Sequence, residues 1–289
     1  MAEFSISILT FPPEIRALIL ANAVIFTKTL VRIINGGEGQ SVAPQLSLLL
    51  ANKTVYEEAA ALFYELNTFR FILPSQGRDS YFDKRMPIET KCVRALTVPT
   101  QYINRLRHVV FYKPLQGYWP NGPLTDTALG PEGLGEKELA LMLDTIATHS
   151  GILTSISVQL QRQSTVTHVQ WDTDPLVMLK ELDRGQRFSS IVERLPQLQR
   201  LEIWKGRKCL VYYMAGMNMF PEGRVERGEK YAKPVEEAKL KQVREEHFRG
   251  VKSARYERRA WGRYVETQNS THDLFMAEGF VLNFTDRVQ

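Results

Sequence analysis

Side chains that could act as nucleophiles, general bases or metal ligands lie far apart in this sequence of 289 residues. Its five histidines are His108, His149, His168, His247 and His272. None of them has a cysteine or an acidic residue at a spacing typical of metal sites. There is also no Gly-x-Ser-x-Gly sequence that would present a serine nucleophile. The sequence therefore predicts no catalytic residue, no metal and no cofactor, and we do not expect an enzyme.

The glycine-rich stretch from Gly130 to Gly135 looks at first like a phosphate-binding loop. It lacks the Lys and the Ser or Thr of such a loop, and its glutamates would repel a phosphate. The two cysteines, Cys92 and Cys209, provide no disulfide framework, which is typical of a reduced compartment. No apolar run reaches the ~20 residues that cross a bilayer. We expect an intracellular protein, cytoplasmic or nuclear, that does not bind membranes.

The positive charge of the chain is concentrated near its C-terminus. Residues 221–265 contain 13 Lys and Arg against 8 Glu, which accounts for the whole net charge of +5. The pattern predicts a long basic helix from Val235 to about Gln268. Basic residues interleaved with aromatic rings are typical of nucleic-acid surfaces, and the candidate phosphate contacts are Arg255, Arg258, Arg259 and Arg263. The interspersed glutamates fit a half-exposed, mixed-charge helix equally well, and we do not expect a nucleic-acid partner.

The first helix is predicted to start at Pro12-Pro13 and to run from Glu14 to about Phe26. Proline suits a helix start, because the first amide hydrogens need no partner, and Glu14 favours the positive end of the helix dipole. Its apolar residues are Ile15, Leu18, Ile19, Val24, Ile25 and Phe26, which leave only a narrow polar face. A helix this apolar must be buried on several sides. Either the core of the protein covers it entirely, or a partner covers part of it.

A second helix is predicted from Leu46 to Leu66, because apolar residues recur there at spacings of three and four. The alternating residues Thr68–Leu73 predict a strand after it, and Leu30–Ile34 a short strand before it. Further helices are predicted over Glu136–His149 and from Pro175, the latter broken at Gly185. Tyr112–Gly135 and Met214–Pro234 are predicted to be loops.

A degenerate repeat runs through the chain, with apolar residues at relative positions 0, 3 and 5. The four copies are Leu66, Phe69, Phe71; Leu106, Val109, Phe111; Leu153, Ile156, Val158; and Leu198, Leu201, Ile203. This is how a leucine-rich repeat enters its strand, although these units are longer. Strands separated by helices at this spacing predict a parallel sheet. The alternating residues Phe280, Leu282 and Phe284 predict a last strand, and the fold class is mixed α/β.

The N-terminal residues resemble the fungal F-box-like family with the EXR-type domain. The residues that carry the resemblance are Phe11-Pro12-Pro13-Glu14-Ile15-Arg16, Tyr56-Glu57-Glu58-Ala59, Phe63-Tyr64 and Asn67-Thr68-Phe69-Arg70-Phe71. Phe11, Leu20 and Asn52 stand where the family pattern has Leu, Tyr and Cys. The resemblance covers roughly residues 4–111 and implies an F-box-like helical region.

The resemblance also implies a partner, the Skp1-like adaptor of cullin ubiquitin ligases. Matched by motif, the residues that would contact the adaptor are Phe11, Pro12, Glu14, Ile15, Ile19, Leu20 and Tyr56. The expected organisation is an F-box-like region over residues 1–73, an irregular leucine-rich-repeat-like region over 74–220, and the basic segment over 221–289. The expected function is a non-catalytic interaction module, and the resemblance implies the role of substrate receptor in a ubiquitin ligase. The alternatives are a scaffold without ligase coupling and a nucleic-acid-associated protein.

Overall fold

A computed structural model describes residues 7–25, 31–32, 52–74, 86–96, 98–114, 136–164, 175–183, 185–212, 230–263 and 271–284. The helices in these ranges are α1 Pro13–Val24, α2 Lys53–Leu66, α3 Ile88–Ala95, α4 Thr100–Ile103, α5 Glu136–His149, α6 Pro175–Leu182, α7 Arg187–Glu193 and α8 Glu237–Glu246. The strands are β1 Val31–Arg32, β2 Thr68–Ile72, β3 His108–Pro114, β4 Ser155–Ser164, β5 Arg200–Tyr212, β6 Lys230–Pro234, β7 Val251–Arg263 and β8 Thr271–Phe284. The fold is mixed α and β, as predicted.

The described strands form one mixed sheet in the order β1-β2-β3-β4-β5-β8-β7-β6. Strands β1 to β5 pair parallel with one another. The pairs β5–β8, β8–β7 and β7–β6 are antiparallel. Each of the three segments predicted from the sequence contributes strands to this sheet. The last strand of the chain, β8, therefore lies inside the sheet, between β5 and β7.

The parallel pairing that the repeat predicts is confirmed for β2, β3, β4 and β5, and the strand residues of the repeat line one core. The strand register aligns Phe69, Val109, Ile156 and Leu201 in one row, and Phe71, Phe111, Val158 and Ile203 in the next. Each of these eight side chains is at most 1% exposed. Residues two apart in a strand point to the same face, so both rows pack under the helices. The likeness to leucine-rich repeats stays a prediction.

Several predicted helix boundaries agree with the structure. Helix α5 has the predicted bounds, α6 starts at Pro175, and Gly185 lies in the turn before α7. Helix α2 begins at Lys53, because the Asn52 side chain accepts a hydrogen bond from the Thr54 amide at 2.8 Å and caps the helix. The earlier part of the prediction, residues 46–51, lies outside the described ranges.

The prediction of a long C-terminal helix is wrong. Helix α8 ends at Glu246, a turn containing Gly250 follows, and Val251–Arg263 is strand β7. The extended form is favoured because β7 pairs with both β6 and β8, which satisfies its main-chain hydrogen bonds on both sides. Residues 264–268 lie outside the described ranges.

Two predicted loops also need correction, because β3 extends to Pro114 and Lys230–Pro234 forms strand β6. Residues 115–135 and 214–229 of those predictions lie outside the described ranges. No helix among the described residues is long and apolar enough to cross a membrane.

The two faces of the sheet are covered differently. One buried cluster joins the helices to the inward face of the strands and extends from Leu20 to Phe284. On the other face, Trp204 and Val281 form a small separate cluster. No described helix contributes a residue to that second cluster.

Candidate protein-docking surface

Helix α1 begins where the sequence predicts, with Pro12 as the N-cap, Pro13 as the first residue and Glu14 in the first turn. All three are exposed. A short 3-10 turn, Ile8–Thr10, leads into the helix and carries Leu9. The prolines set the direction in which the chain enters α1.

Helix α1 is apolar on two opposite faces. Leu20 and Val24 are fully buried against the core. On the other side Ile15, Leu18 and Ile19 are 42%, 62% and 40% exposed. Residues three and four apart are neighbours on a helix, so these three side chains form one stripe. Together with the exposed residues of the preceding turn we define the α1 surface as Leu9, Phe11, Ile15, Leu18 and Ile19.

An ion pair between α1 and α2 helps to fix which face of α1 is exposed. Arg16 donates from Nε to Glu58 Oε2 at 3.1 Å and from Nη2 to Glu58 Oε1 at 2.6 Å. A third nitrogen of Arg16, Nη1, donates to the carbonyl of Phe11 at 2.9 Å. The hydrogen bonds from Arg16 lower the pKa of the Glu58 carboxyl. This two-pronged contact holds α1 against α2 and ties Phe11 to the helix.

Asn67 fixes the other end of α1. Its side-chain amide donates to the carbonyl of Val24 at 2.8 Å and to that of Phe63 at 2.9 Å. Asn67 is 2% exposed and ends α2, so one buried amide links the C-terminal ends of both helices. The two helices therefore present a fixed surface.

Tyr56 stands on α2 and is 39% exposed. Its hydroxyl interacts with that of Tyr102, and this hydrogen bond raises the pKa of Tyr56. Tyr102 stacks on Tyr64 with ring centroids 4.6 Å apart, and Tyr64 stacks on Phe69 of β2 at 5.2 Å. Burial raises the pKa of Tyr64 to about 12. A continuous line of rings thus connects Tyr56 to the core.

The seven residues predicted to contact the adaptor differ in exposure, and all but Leu20 are exposed. Phe11, Ile15, Ile19 and Tyr56 are exposed, as a docking role requires. Leu20 is the exception: it is 0% exposed, because it lies on the core side of α1, so its assignment to a docking surface is wrong. Sequence reasoning did not assign Leu9 or Leu18 to the surface, although both are exposed. The excess of apolar residues around α1 was the signal that could have found Leu18.

The four arginines proposed for nucleic-acid contact all lie on strand β7 and not on a helix. Neighbouring positions of a strand belong to opposite faces. Arg255, Arg259 and Arg263 therefore occupy positions of one face, and Arg258 a position of the other. Arg255 is already engaged, because its Nε lies 2.5 Å from Oε1 of the buried Glu257.

The described residues contain no group of three or more His, Cys, Asp or Glu that could hold a metal ion. Burial raises the pKa of the Cys92 thiol to about 12, so this cysteine is not a reactive thiolate. Burial lowers the pKa of His108. Asp183 and His247 form a buried pair, with Oδ2 and Nδ1 at 3.0 Å, that joins α6 to the end of α8.

The α1 surface can bury apolar area against a partner, and its support by α2 keeps it in place. Comparisons with protein-family models, with curated proteins and with solved structures found no match for this chain.

Proposed function

We propose that this protein is a non-catalytic interaction module that docks on a partner through the α1 surface. The observation that supports this function is the stripe of Ile15, Leu18 and Ile19, exposed opposite the fully buried Leu20 and Val24. Contiguous exposed apolar side chains on a folded protein are typical of interaction sites.

The energetics favour a partner with an apolar surface. Complete burial of one such side chain contributes about 1.5–3 kcal/mol relative to full exposure. The side chains of the α1 surface are already partly covered, so each recovers only a fraction of that value. The Arg16–Glu58 contact holds α1 in place before binding, which reduces the entropy lost on association.

The proposed partner is a Skp1-like adaptor, and the proposed role is that of a substrate receptor in a cullin ubiquitin ligase. The support is the resemblance of the N-terminal motifs to the fungal F-box-like family. In this proposal Phe11, Ile15, Leu18 and Ile19 contact the adaptor, and the protein acts in the cytoplasm or the nucleus. A scaffold that uses the same surface without ligase coupling is the alternative.

The experiment is purification of the tagged full chain from its native cells, with immunodetection of Skp1 and cullin. Recovery of both proteins with the wild type, and loss of both with Leu18→Asp, supports the receptor role. Leu18 is the most exposed residue of the α1 surface, so this substitution leaves the core intact. If the wild type recovers neither protein, the receptor role is wrong and only the scaffold remains.

A further inference from the structure

We infer that the outer side of strand β6 binds an extended acidic segment of a protein partner, which adds to the sheet as a further strand. Strand β6 stands at one end of the described sheet, and β7 is its neighbour there. We call the side of β6 that faces away from β7 the β6 edge. This inference goes beyond docking at the α1 surface and does not depend on it.

The hydrogen bonds between β6 and β7 show which main-chain groups of β6 point outward. Val235 follows the last residue of β6 and donates its amide to the carbonyl of Ala254 at 3.0 Å. In an antiparallel pair, residues that bond to the partner strand alternate with residues that do not. The main-chain groups of Lys230, Ala232 and Pro234 therefore point away from β7, and these three residues define the β6 edge.

The position of Pro234 agrees with this alternation. A proline has no amide hydrogen, so it fits a strand where that amide would face away from the neighbouring strand. Pro234 is exposed, and Ala232 and Lys230 lie two and four residues before it. No main-chain hydrogen bond joins the β6 edge to another described element. The amides of Lys230 and Ala232, and the carbonyls of all three residues, can pair with an added strand.

Strand addition is a recognised way in which a protein binds an extended peptide. The open edge of a sheet is a template for a further strand. Main-chain hydrogen bonds then provide affinity, and the side chains of the alternate positions provide specificity. Strand β7, which supports β6, is itself paired with β8 on its other side. The edge is therefore formed before the partner binds, which reduces the entropy lost on association.

The charge of the two outer strands favours an acidic partner. Strand β6 contains two lysines, Lys230 and Lys233, and no acidic residue. The β7 positions that pair with it, 255–259, hold three arginines and one glutamate. That glutamate, Glu257, already pairs with Arg255. The two strands therefore carry an excess of basic residues, and opposite charges on neighbouring strands stabilise their pairing.

The same residues disfavour other occupants of the β6 edge. If a second copy of the chain paired through its own β6, lysines would lie beside lysines, and like charges on paired strands are destabilising. Lysine and proline on an outer strand are typical of proteins that avoid such self-pairing. A nucleic acid would engage basic residues mainly through phosphate oxygens, which accept hydrogen bonds and cannot donate to the outward carbonyls.

The test is fluorescence anisotropy of a labelled hexapeptide of alternating Glu and Val against the full chain. The comparison probe is a hexapeptide of alternating Glu and Pro. It carries the same charge, but its prolines lack amide hydrogens and prevent pairing along a strand. We expect saturable binding of the Glu-Val peptide and binding of the Glu-Pro peptide that is weaker by about tenfold or more. Equal binding of both peptides, or no saturable binding of either, would overturn the inference.

Ala232→Pro removes an outward amide and leaves the bonds between β6 and β7 in place. It should weaken binding of the Glu-Val peptide about tenfold. Ala232→Val is the matched control, because it keeps the amide and suits a strand, and it should change the affinity by less than about twofold. Equal affinities of these two variants would contradict strand addition.

Lys230→Glu tests the charge of the β6 edge and should weaken binding about fivefold. Lys252→Glu makes the same change at an exposed position of β7 that does not pair with β6. It should have less than half of that effect. Equal weakening by the two substitutions would show attraction to net charge alone and count against the edge.

Hydrogen exchange of the wild type provides a measurement that needs no variant. The amides of Lys230 and Ala232 should exchange more slowly when the Glu-Val peptide is added, because they become bonded. The amide of Lys233, which the alternation assigns to β7, should change little. Unchanged exchange at the outward amides would refute the inference. Self-association of the wild type that Ala232→Pro abolishes would assign the edge to a second copy instead.

The two proposed binding surfaces can be tested separately. Ile15→Asp with Ile19→Asp changes the α1 surface and should leave binding of the Glu-Val peptide unchanged. Loss of peptide binding in this double variant, if it is folded, would contradict an independent site at the β6 edge.

Discussion

Gly279 of β8 lies directly beneath the indole ring of Trp204 on β5. The two residues are paired in the strand register, and a methyl group on Gly279 would overlap Cε3, Cδ2 and Cζ3 of the ring. The absence of a side chain at position 279 is what lets the indole lie flat on the sheet. This contact helps to place β8 beside β5, where the parallel and antiparallel parts of the sheet join.

Gly279→Ala should therefore destabilise the protein by about 1–3 kcal/mol, because the ring must move and its hydrogen bond to Glu202 is strained. The measurement is urea unfolding followed by tryptophan fluorescence. Gly151→Ala is the matched control, since nothing lies within 4 Å of an added methyl group there. Its effect should stay within about 0.5 kcal/mol. Equal stabilities of the two variants would refute this role for Gly279.

Phe111→Ala tests the aligned core of the parallel strands. Phe111 is fully buried and pairs with Phe71 and Val158 in the register. Its removal should cost about 3–5 kcal/mol of unfolding free energy. Val93→Ala, at a residue 63% exposed on α3, should cost under about 0.5 kcal/mol. A small loss at Phe111 in chemical denaturation would mean that this row is not the core.

The strand residues of the repeat were predictable because the two in each copy are two positions apart and all eight are buried. The first residue of each copy follows the burial pattern less strictly, since Leu66 is 39% exposed. Strand β7 could not be predicted from the sequence, because it has polar residues at positions of both faces. Among the β7 residues whose burial is described, Ala254 and Tyr256 are buried on one side, and the buried residue on the other side is Glu257. Because apolar and polar residues do not alternate along β7, its mixed charges were interpreted as those of a solvated helix. The position of β8 between β5 and β7 was also hidden, because pairing between distant segments leaves no local pattern.

The α1 surface was predictable only in part. The surplus of apolar residues around α1 indicated that one face could remain open, but not which one. Ile19 and Leu20 are neighbours of the same chemical type, yet one is 40% and the other 0% exposed. Their difference depends on how α1 is rotated against α2. The Arg16–Glu58 and Asn67–Val24 contacts that hold this rotation join residues more than forty positions apart.

Asp183→Ala should show how much the buried pair with His247 contributes. Asp183 is fully buried at its side chain and accepts from the Ser189 amide at 3.0 Å as well as contacting His247. Its removal leaves buried donors without a partner, and each costs about 1–3 kcal/mol. Asp144→Ala is the control, because that carboxylate is 51% exposed in its pair with Arg194 and should contribute under about 1 kcal/mol. Thermal unfolding of both variants measures the difference, and similar losses would contradict the prediction.

Glu58→Gln should change how stability depends on pH. The pKa of Glu58 is lowered by Arg16 from the ordinary value of 4.5. A carboxyl with a lowered pKa in the folded state stabilises the protein above the unfolded pKa and loses that contribution as the pH falls through the folded pKa. The wild type should be the more stable protein at neutral pH, and the gap should close on acidification below about pH 4.5. A gap that stays constant over this range in thermal unfolding would be inconsistent with the ion pair.

Isothermal titration of the purified chain with a purified Skp1-like adaptor tests docking at the α1 surface most directly. The comparison is between the wild type, Ile15→Asp with Ile19→Asp, and Val93→Asp, an exposed apolar position on α3 outside the α1 surface. Circular dichroism checks that all three are folded, which we expect because both isoleucines are at least 40% exposed. The account predicts binding by the wild type and by Val93→Asp, with binding abolished in the double variant. Wild-type affinity in a folded double variant, or no binding by the wild type, would contradict it.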